Sequence, residues 1–165
     1  MYHFVSGYTA KMAGVVAGEN TVSSTFSACF GEAFLVRHPY VYAEMLEKKI
    51  QKHKTNVWLV NTGWINGKYG VGQRISIKHT RAIIDAIHSG ELDKAEYTET
   101  DVFKLKIPKG VSGVPSEILD PSKSWKDQAD FNTSLRSLGS QFVKNFEKYK
   151  TAKSERLIAG GPQLK

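Results

Sequence analysis

The chain has 165 residues, 41% of them hydrophobic, which is enough for one domain with a core of its own and no need of disulfides or a structural metal. Its 23 Lys and Arg against 16 Asp and Glu give a net charge of +7, with the excess towards the end, where residues 122–165 hold nine cations and four anions; that balance suits a polyanion such as a nucleotide or nucleic acid, or a solvated lysine-rich surface. A single cysteine and the lack of a charged-then-apolar leader point to a reducing, cytoplasmic setting, and no uncharged run approaches the ~20 residues of a membrane span, so no membrane partner is expected.

Tyr2 to Tyr8 is aromatic and apolar where a free terminus is normally polar, so it is expected to pack on a further domain and, left exposed, to drive self-association. Pro39 suits a first helical position, and Tyr42, Met45, Leu46 and Ile50 then recur at helical spacing. The branched and aromatic run Val57 to Val60, bounded by Thr55-Asn56 and Asn61-Thr62-Gly63, predicts a buried strand. A glycine loop follows, then a short extended segment around Arg74 to Ile77. Thr80 is expected to cap a helix through Ile83, Ile84 and Ile87, closed by Ser89-Gly90. Phe103, Leu105 and Ile107 alternate with lysines, as in a half-exposed edge strand ended by Pro108 and Gly110. From Trp125 onward Leu135, Leu138, Phe142, Phe146 and Tyr149 predict a long C-terminal helix, interrupted in propensity by Gly139. With no repeat or low-complexity break, residues 1–165 read as one α/β unit, a mixed sheet with flanking helices.

Gly67 and Gly72 have the spacing of a G-x-x-x-x-G phosphate loop. Gln73 and Arg74 stand where that motif needs Lys and then Ser or Thr to reach phosphate and magnesium, so a plain loop is expected. Arg74-Ile75-Ser76-Ile77-Lys78-His79-Thr80-Arg81 is more informative: cations and a hydroxyl gather before a helix N-terminus, a place that favours anions, and a flat guanidinium can lie on a purine. The plain alternative is an edge strand with solvated charges. The five histidines form neither H-E-x-x-H nor a zinc-like spacing with Cys29, so no metal ligands are assigned in this chain. Cys29, among apolar neighbours, reads as a buried small residue, and Asp127 and Asp130 as surface. Trp58, Phe103, Phe142 and Phe146 sit at core periodicity, leaving few rings for base stacking; a basic nucleic-acid-binding module is therefore the weaker alternative, and no nucleic-acid partner is expected.

Four separated blocks, Tyr2 to Gly14, Thr25 to Gly31, Val57 to Trp64 and Arg74 to Ile84, strongly resemble ATP-dependent phosphoenolpyruvate carboxykinase, in order and across nearly the whole chain. They correspond to roughly its last third. The resemblance implies that residues 1–165 are an incomplete, C-terminal segment of that family's nucleotide-binding domain. It implies an enzyme that takes oxaloacetate and ATP to phosphoenolpyruvate, carbon dioxide and ADP in gluconeogenesis, using Mg2+ with the nucleotide and a second metal, typically Mn2+. The family's phosphate loop, metal ligands and oxaloacetate-binding arginine lie upstream, so the resemblance assigns no catalytic residue here and an isolated chain without turnover. Arg74, Ile75 and Thr80 match positions that hold the nucleotide base. Val15 to Ser24 departs from the family pattern, having lost its acidic and proline positions.

Overall fold

The computed structural model describes residues 1–11 and 23–164. Of the divergent stretch, Val15 to Val22 therefore lie outside the described residues. Helices and short strands alternate, an α/β mixture, but among the described residues the strands form three separate antiparallel pairs rather than one mixed sheet. The chain divides into two compact units, Met1–Leu59 with Leu138–Lys165, and Val60–Ser137. No helix among the described residues is long and apolar enough to cross a membrane.

In the first unit, α1 (Tyr2–Ser6) ends at Gly7, whose φ of 60° is the left-handed C-cap conformation. A Cβ there would lie 1.7 Å from the Ser27 carbonyl oxygen, so both conformation and space demand glycine. The close approach lets the Ser27 amide donate to the Gly7 carbonyl at 3.0 Å. From that point β1 (Tyr8–Lys11) pairs with β2 (Ser23–Phe26), Tyr8 opposite Phe26. Both rings pack against Phe142, at centroid distances of 5.3 and 5.1 Å, while Tyr2 stacks on Phe146 at 4.3 Å. Such pairs add about 0.5–1.5 kcal/mol each beyond the area they bury.

These contacts overturn the expectation for Tyr2 to Tyr8. Tyr2 is 4% exposed and Val5 1%, so the segment's apolar side is buried within its own chain rather than left for a further domain. The reason is the C-terminal helix, whose Phe142 and Phe146 are four residues apart on one face and supply the partner surface.

The helix predicted from Pro39 is α2 (Pro39–His53), with Pro39 at its first position. The His38 ring accepts from the Tyr40 amide at 3.2 Å. Its most buried residues are Tyr40 and Ala43, whereas Met45, expected on the apolar face, is exposed. Arg156 forks onto both Glu47 carboxylate oxygens and lies over the Tyr40 ring, tying the C-terminal 3-10 turn Glu155–Gly160 to α2. The Arg156 guanidinium holds the Glu47 carboxyl below its usual value. Tyr149 donates its hydroxyl to Glu32 at 3.2 Å, and burial, reinforced by the Glu32 charge, pushes its phenol up to about 12.

Val57 to Val60 is the second correction: it forms no strand, and Val57 and Leu59 are 59% and 57% exposed. Composition suited a strand, but strand structure needs a neighbour to hydrogen-bond with, and no ladder of the described chain takes this run in.

The second unit is built from hairpins and one amphipathic helix. β3 (Trp64–Ile65) pairs with β4 (Gln73–Arg74), α3 (Ile77–His88) follows, and β5 (Tyr97–Glu99) pairs with β6 (Lys106–Pro108). The predicted stop of α3 holds, with Ser89 at the cap and Gly90 at φ 76°. The predicted edge strand is shorter than its alternation, because Phe103 and Lys104 lie in the turn, Lys104 at φ 52°, and only Lys106–Pro108 pairs. Short helices α4 (Ser116–Leu119) and α5 (Pro121–Ser124) lead to the long α6 (Gln128–Phe146), which begins three residues after Trp125. Its buried aliphatic residues are Ile75, Ala86, Leu92, Val102, Val111 and Val114, smaller side chains than the ring cluster of the first unit.

Candidate functional site

The hairpin β3–β4 and the start of α3 carry the three residues singled out by sequence. Asn61 starts the hairpin: its side-chain oxygen accepts from the Gly63 amide at 2.9 Å, a local turn that asparagine favours. The Gly63 carbonyl then accepts from the Ile75 amide at 3.0 Å, extending the pairing one residue past β4. Trp64 stands opposite Arg74 in the register. Directly opposed residues of an antiparallel pair project from the same face, and the Arg74 guanidinium carbon lies 5.6 Å from the Trp64 ring centroid.

Strand alternation separates the next two side chains. Arg74 is exposed, while Ile75, on the other face, is buried at 8%. Thr80 is half-buried in the first turn of α3, so Arg74, Ile75 and Thr80 all fall on one strand-to-helix junction. Lys78 and Arg81 add positive charge where the helix already presents unpaired amides, which makes the junction electropositive.

Thr80 is not the helix cap. Ser76 is extended, at φ −67° and ψ 148°, and its hydroxyl accepts from the His79 amide at 3.2 Å, so the helix starts at Ile77. The alternation of isoleucines in Arg74-Ile75-Ser76-Ile77 read as strand through Ile77, and that displaced the expected cap by four residues. Thr80 instead donates its amide to the Ser76 carbonyl at 3.0 Å as an ordinary helical residue.

The glycine loop between the strands is closed on itself. The Val71 and Gly72 amides both donate to the Lys68 carbonyl, at 3.0 and 2.7 Å, and are thereby spent. A side chain at Gly72 would meet the Ile65 and Gly67 carbonyl oxygens at 2.4 and 2.5 Å. The Lys68 ammonium pairs with Asp130 at 2.6 Å. A phosphate loop needs free amides and a free lysine; this loop commits two amides and the lysine to its own fold.

Three features escaped the sequence reading. Trp64 beneath Arg74 was signalled only by the two residues bracketing one glycine loop. The Ser76 cap was hidden in an apparent strand. Asp127, read as surface, accepts from the Ala129 and Asp130 amides at 2.9 and 3.0 Å at the start of α6, and Asp130 anchors the loop. Cys29, read as a buried small residue, is half-buried; its thiol donates weakly to the Pro39 carbonyl at 3.7 Å, and burial pushes its pKa up. Among the described residues no three His, Cys, Asp or Glu side chains gather as a metal site would need.

Comparison with known proteins bears on this junction. The family described as phosphoenolpyruvate carboxykinase matches residues 1–117, a stretch that contains Arg74, Ile75 and Thr80. The phosphoenolpyruvate carboxykinase (ATP) of Dictyostelium discoideum is 49% identical over 164 residues, covering 99% of this chain and 29% of that protein. Those of Zea mays and Candida albicans are 52% and 50% identical, again over 99% of this chain and over 26% and 30% of their own lengths. The chain thus spans less than a third of the length of these curated relatives, and the similarity continues through α6 and the terminal turns. With the family match covering well over half of its residues, the chain belongs to the ATP-dependent phosphoenolpyruvate carboxykinase family.

Proposed function

We propose that this chain supplies the adenosine-binding end of a cytoplasmic, gluconeogenic carboxykinase. In that reaction oxaloacetate loses carbon dioxide, the enolate oxygen left behind takes the γ-phosphoryl group of ATP, and phosphoenolpyruvate and ADP result. Arg74 stacks on the adenine ring, Ile75 fixes the strand beneath it by burial, and Thr80 borders the base from the first turn of α3. The observation that carries this reading is the exposed Arg74 guanidinium lying over Trp64, beside an electropositive helix start. A guanidinium so placed offers a flat, cationic face suited to a purine.

Mg2+ and Mn2+ would neutralise and orient the phosphates in a complete enzyme. Among the described residues no three candidate ligands converge on a site for them, and the residues proposed here act on the base. A contact to the base is made about equally in ground and transition states, so its loss weakens binding and leaves turnover largely intact. The test is calorimetric titration of the 165-residue chain with ATP. Arg74→Ala is expected to weaken binding by ~0.5–2 kcal/mol. A coupled assay with oxaloacetate and ATP is expected to register no turnover by the chain alone, and magnesium-dependent turnover by pure chain would overturn the division of roles. Equal affinity of wild type and Arg74→Ala would remove Arg74 from the site.

A further inference from the structure

We infer that Trp64 is the positioning residue of the base site: it holds the exposed Arg74 guanidinium pre-set over its ring, where a nucleoside base can reach it. The inference rests on the reading of Arg74 as the base contact and deepens it.

Three observations build the arrangement. The register of β3 and β4 sets Trp64 directly opposite Arg74, so the indole and the guanidinium leave the same face of the hairpin, 5.6 Å apart. The Tyr69 ring and the indole meet edge to face, with centroids 5.1 Å apart and planes at 86°, a favoured aromatic geometry. The loop that carries Tyr69 is closed by the Gly72 and Val71 amides on the Lys68 carbonyl and anchored by Lys68 on Asp130. Tyr69 on the closed loop, Trp64 on β3 and Arg74 on β4 are thus linked by one edge-to-face and one cation–π contact. Among the described residues no carboxylate pairs with Arg74, so the indole is the contact that orients it.

The physical consequence is pre-organisation. An exposed arginine samples many rotamers and must lose that freedom when it stacks on a ligand. A guanidinium already resting on an indole has given up part of it before the ligand arrives. Trp64 then raises affinity without touching the base, and every effect of removing it passes through Arg74.

The experiment titrates the full 165-residue chain with ADP by calorimetry, using wild type, Trp64→Leu, Trp64→Phe, Arg74→Ala and the double variant Trp64→Leu/Arg74→Ala, each checked by circular dichroism. Trp64→Leu is expected to weaken ADP binding about two- to fivefold, Trp64→Phe to recover part of the loss, and the double variant to match Arg74→Ala. Weakening by Arg74→Ala but not by Trp64→Leu overturns the role of Trp64 and leaves the base site standing. A double variant weaker than Arg74→Ala by the full Trp64→Leu factor means that the indole touches the ligand itself, which also overturns it. No ADP binding by wild type, or none lost in Arg74→Ala, overturns the base site and the inference together. A ligand-free readout stands beside these: the 15N–1H NOE of the Arg74 Nε–H is expected to drop in Trp64→Leu and to be kept in Trp64→Phe, and an unchanged value in both overturns the inference whatever ADP does.

Discussion

Tyr2–Tyr8 and Val57–Val60 are both short apolar runs, and the molecule treats them in opposite ways. The first folds into a helical turn and a strand whose rings reach Phe142 and Phe146 on α6. The second carries branched residues of higher strand propensity, yet it forms no strand and leaves Val57, Leu59 and Val60 exposed. The difference is the partner. Two rings four residues apart on one helix face give the first segment a surface to bury against, whereas among the described residues no strand pairs with the second. Burial is a property of pairs of segments, and apolarity is only one half of it.

The largest test of this contrast removes the partner. Phe146→Ala should destabilise the chain by about 3–5 kcal/mol, because it opens a cavity beneath Tyr2, and thermal or denaturant unfolding measures it directly. A loss under 1 kcal/mol would mean that the ring stack contributes little and the contrast is misplaced. Alkali attacks the same region by another route. Tyr2 and Tyr149 both have phenol pKa values raised to about 12, chiefly by burial, so unfolded tyrosine ionises near pH 10 while the folded form resists. The unfolded chain then binds fewer protons than the native one, and stability present below pH 10 should fall as pH rises from about 10 to about 12. Tyr149→Phe should flatten part of that decline in pH-dependent melts; an unchanged slope would locate the titration elsewhere.

Ser76→Ala should cost about 1 kcal/mol by leaving the His79 amide of α3 without its acceptor, and Thr80→Val should cost less, because Thr80 is one turn inside the helix. The reverse order in melting temperature would return the cap to Thr80. At the small end, Leu59→Ser should change stability by no more than about 0.5 kcal/mol, as expected of an exposed site. A loss like that of Phe146→Ala would show that Val57–Val60 is buried in solution.

Helices were the legible part of the sequence. Pro39 at the start of α2 and Ser89-Gly90 at the end of α3 are local signals, and local signals act within a few residues of where they are read. Strands were less legible because they depend on distant pairing: Val57–Val60 lacked a ladder, and the alternation through Ile107 was cut short by a turn at Phe103-Lys104. At the candidate site Arg74, Ile75 and Thr80 were readable from cations, apolar alternation and a hydroxyl, together with the family resemblance. Trp64 was not, since its meaning comes from a register that only the folded hairpin fixes. The Ser76 cap was missed for a related reason: a β-branched residue on each side of a serine reads as strand until the backbone turns.

Arg74, Ile75 and Thr80 are proposed to hold an adenine base. The most direct measurement is a 15N–1H correlation spectrum of the chain titrated with ADP and, separately, with tripolyphosphate. ADP is expected to shift the amides of Arg74, Ile75 and Thr80 and the Trp64 indole N–H, and tripolyphosphate to leave these four largely in place. Shifts confined to other residues, or the same four reproduced by tripolyphosphate alone, would contradict that assignment, the second by making the junction a site for phosphate rather than for the base.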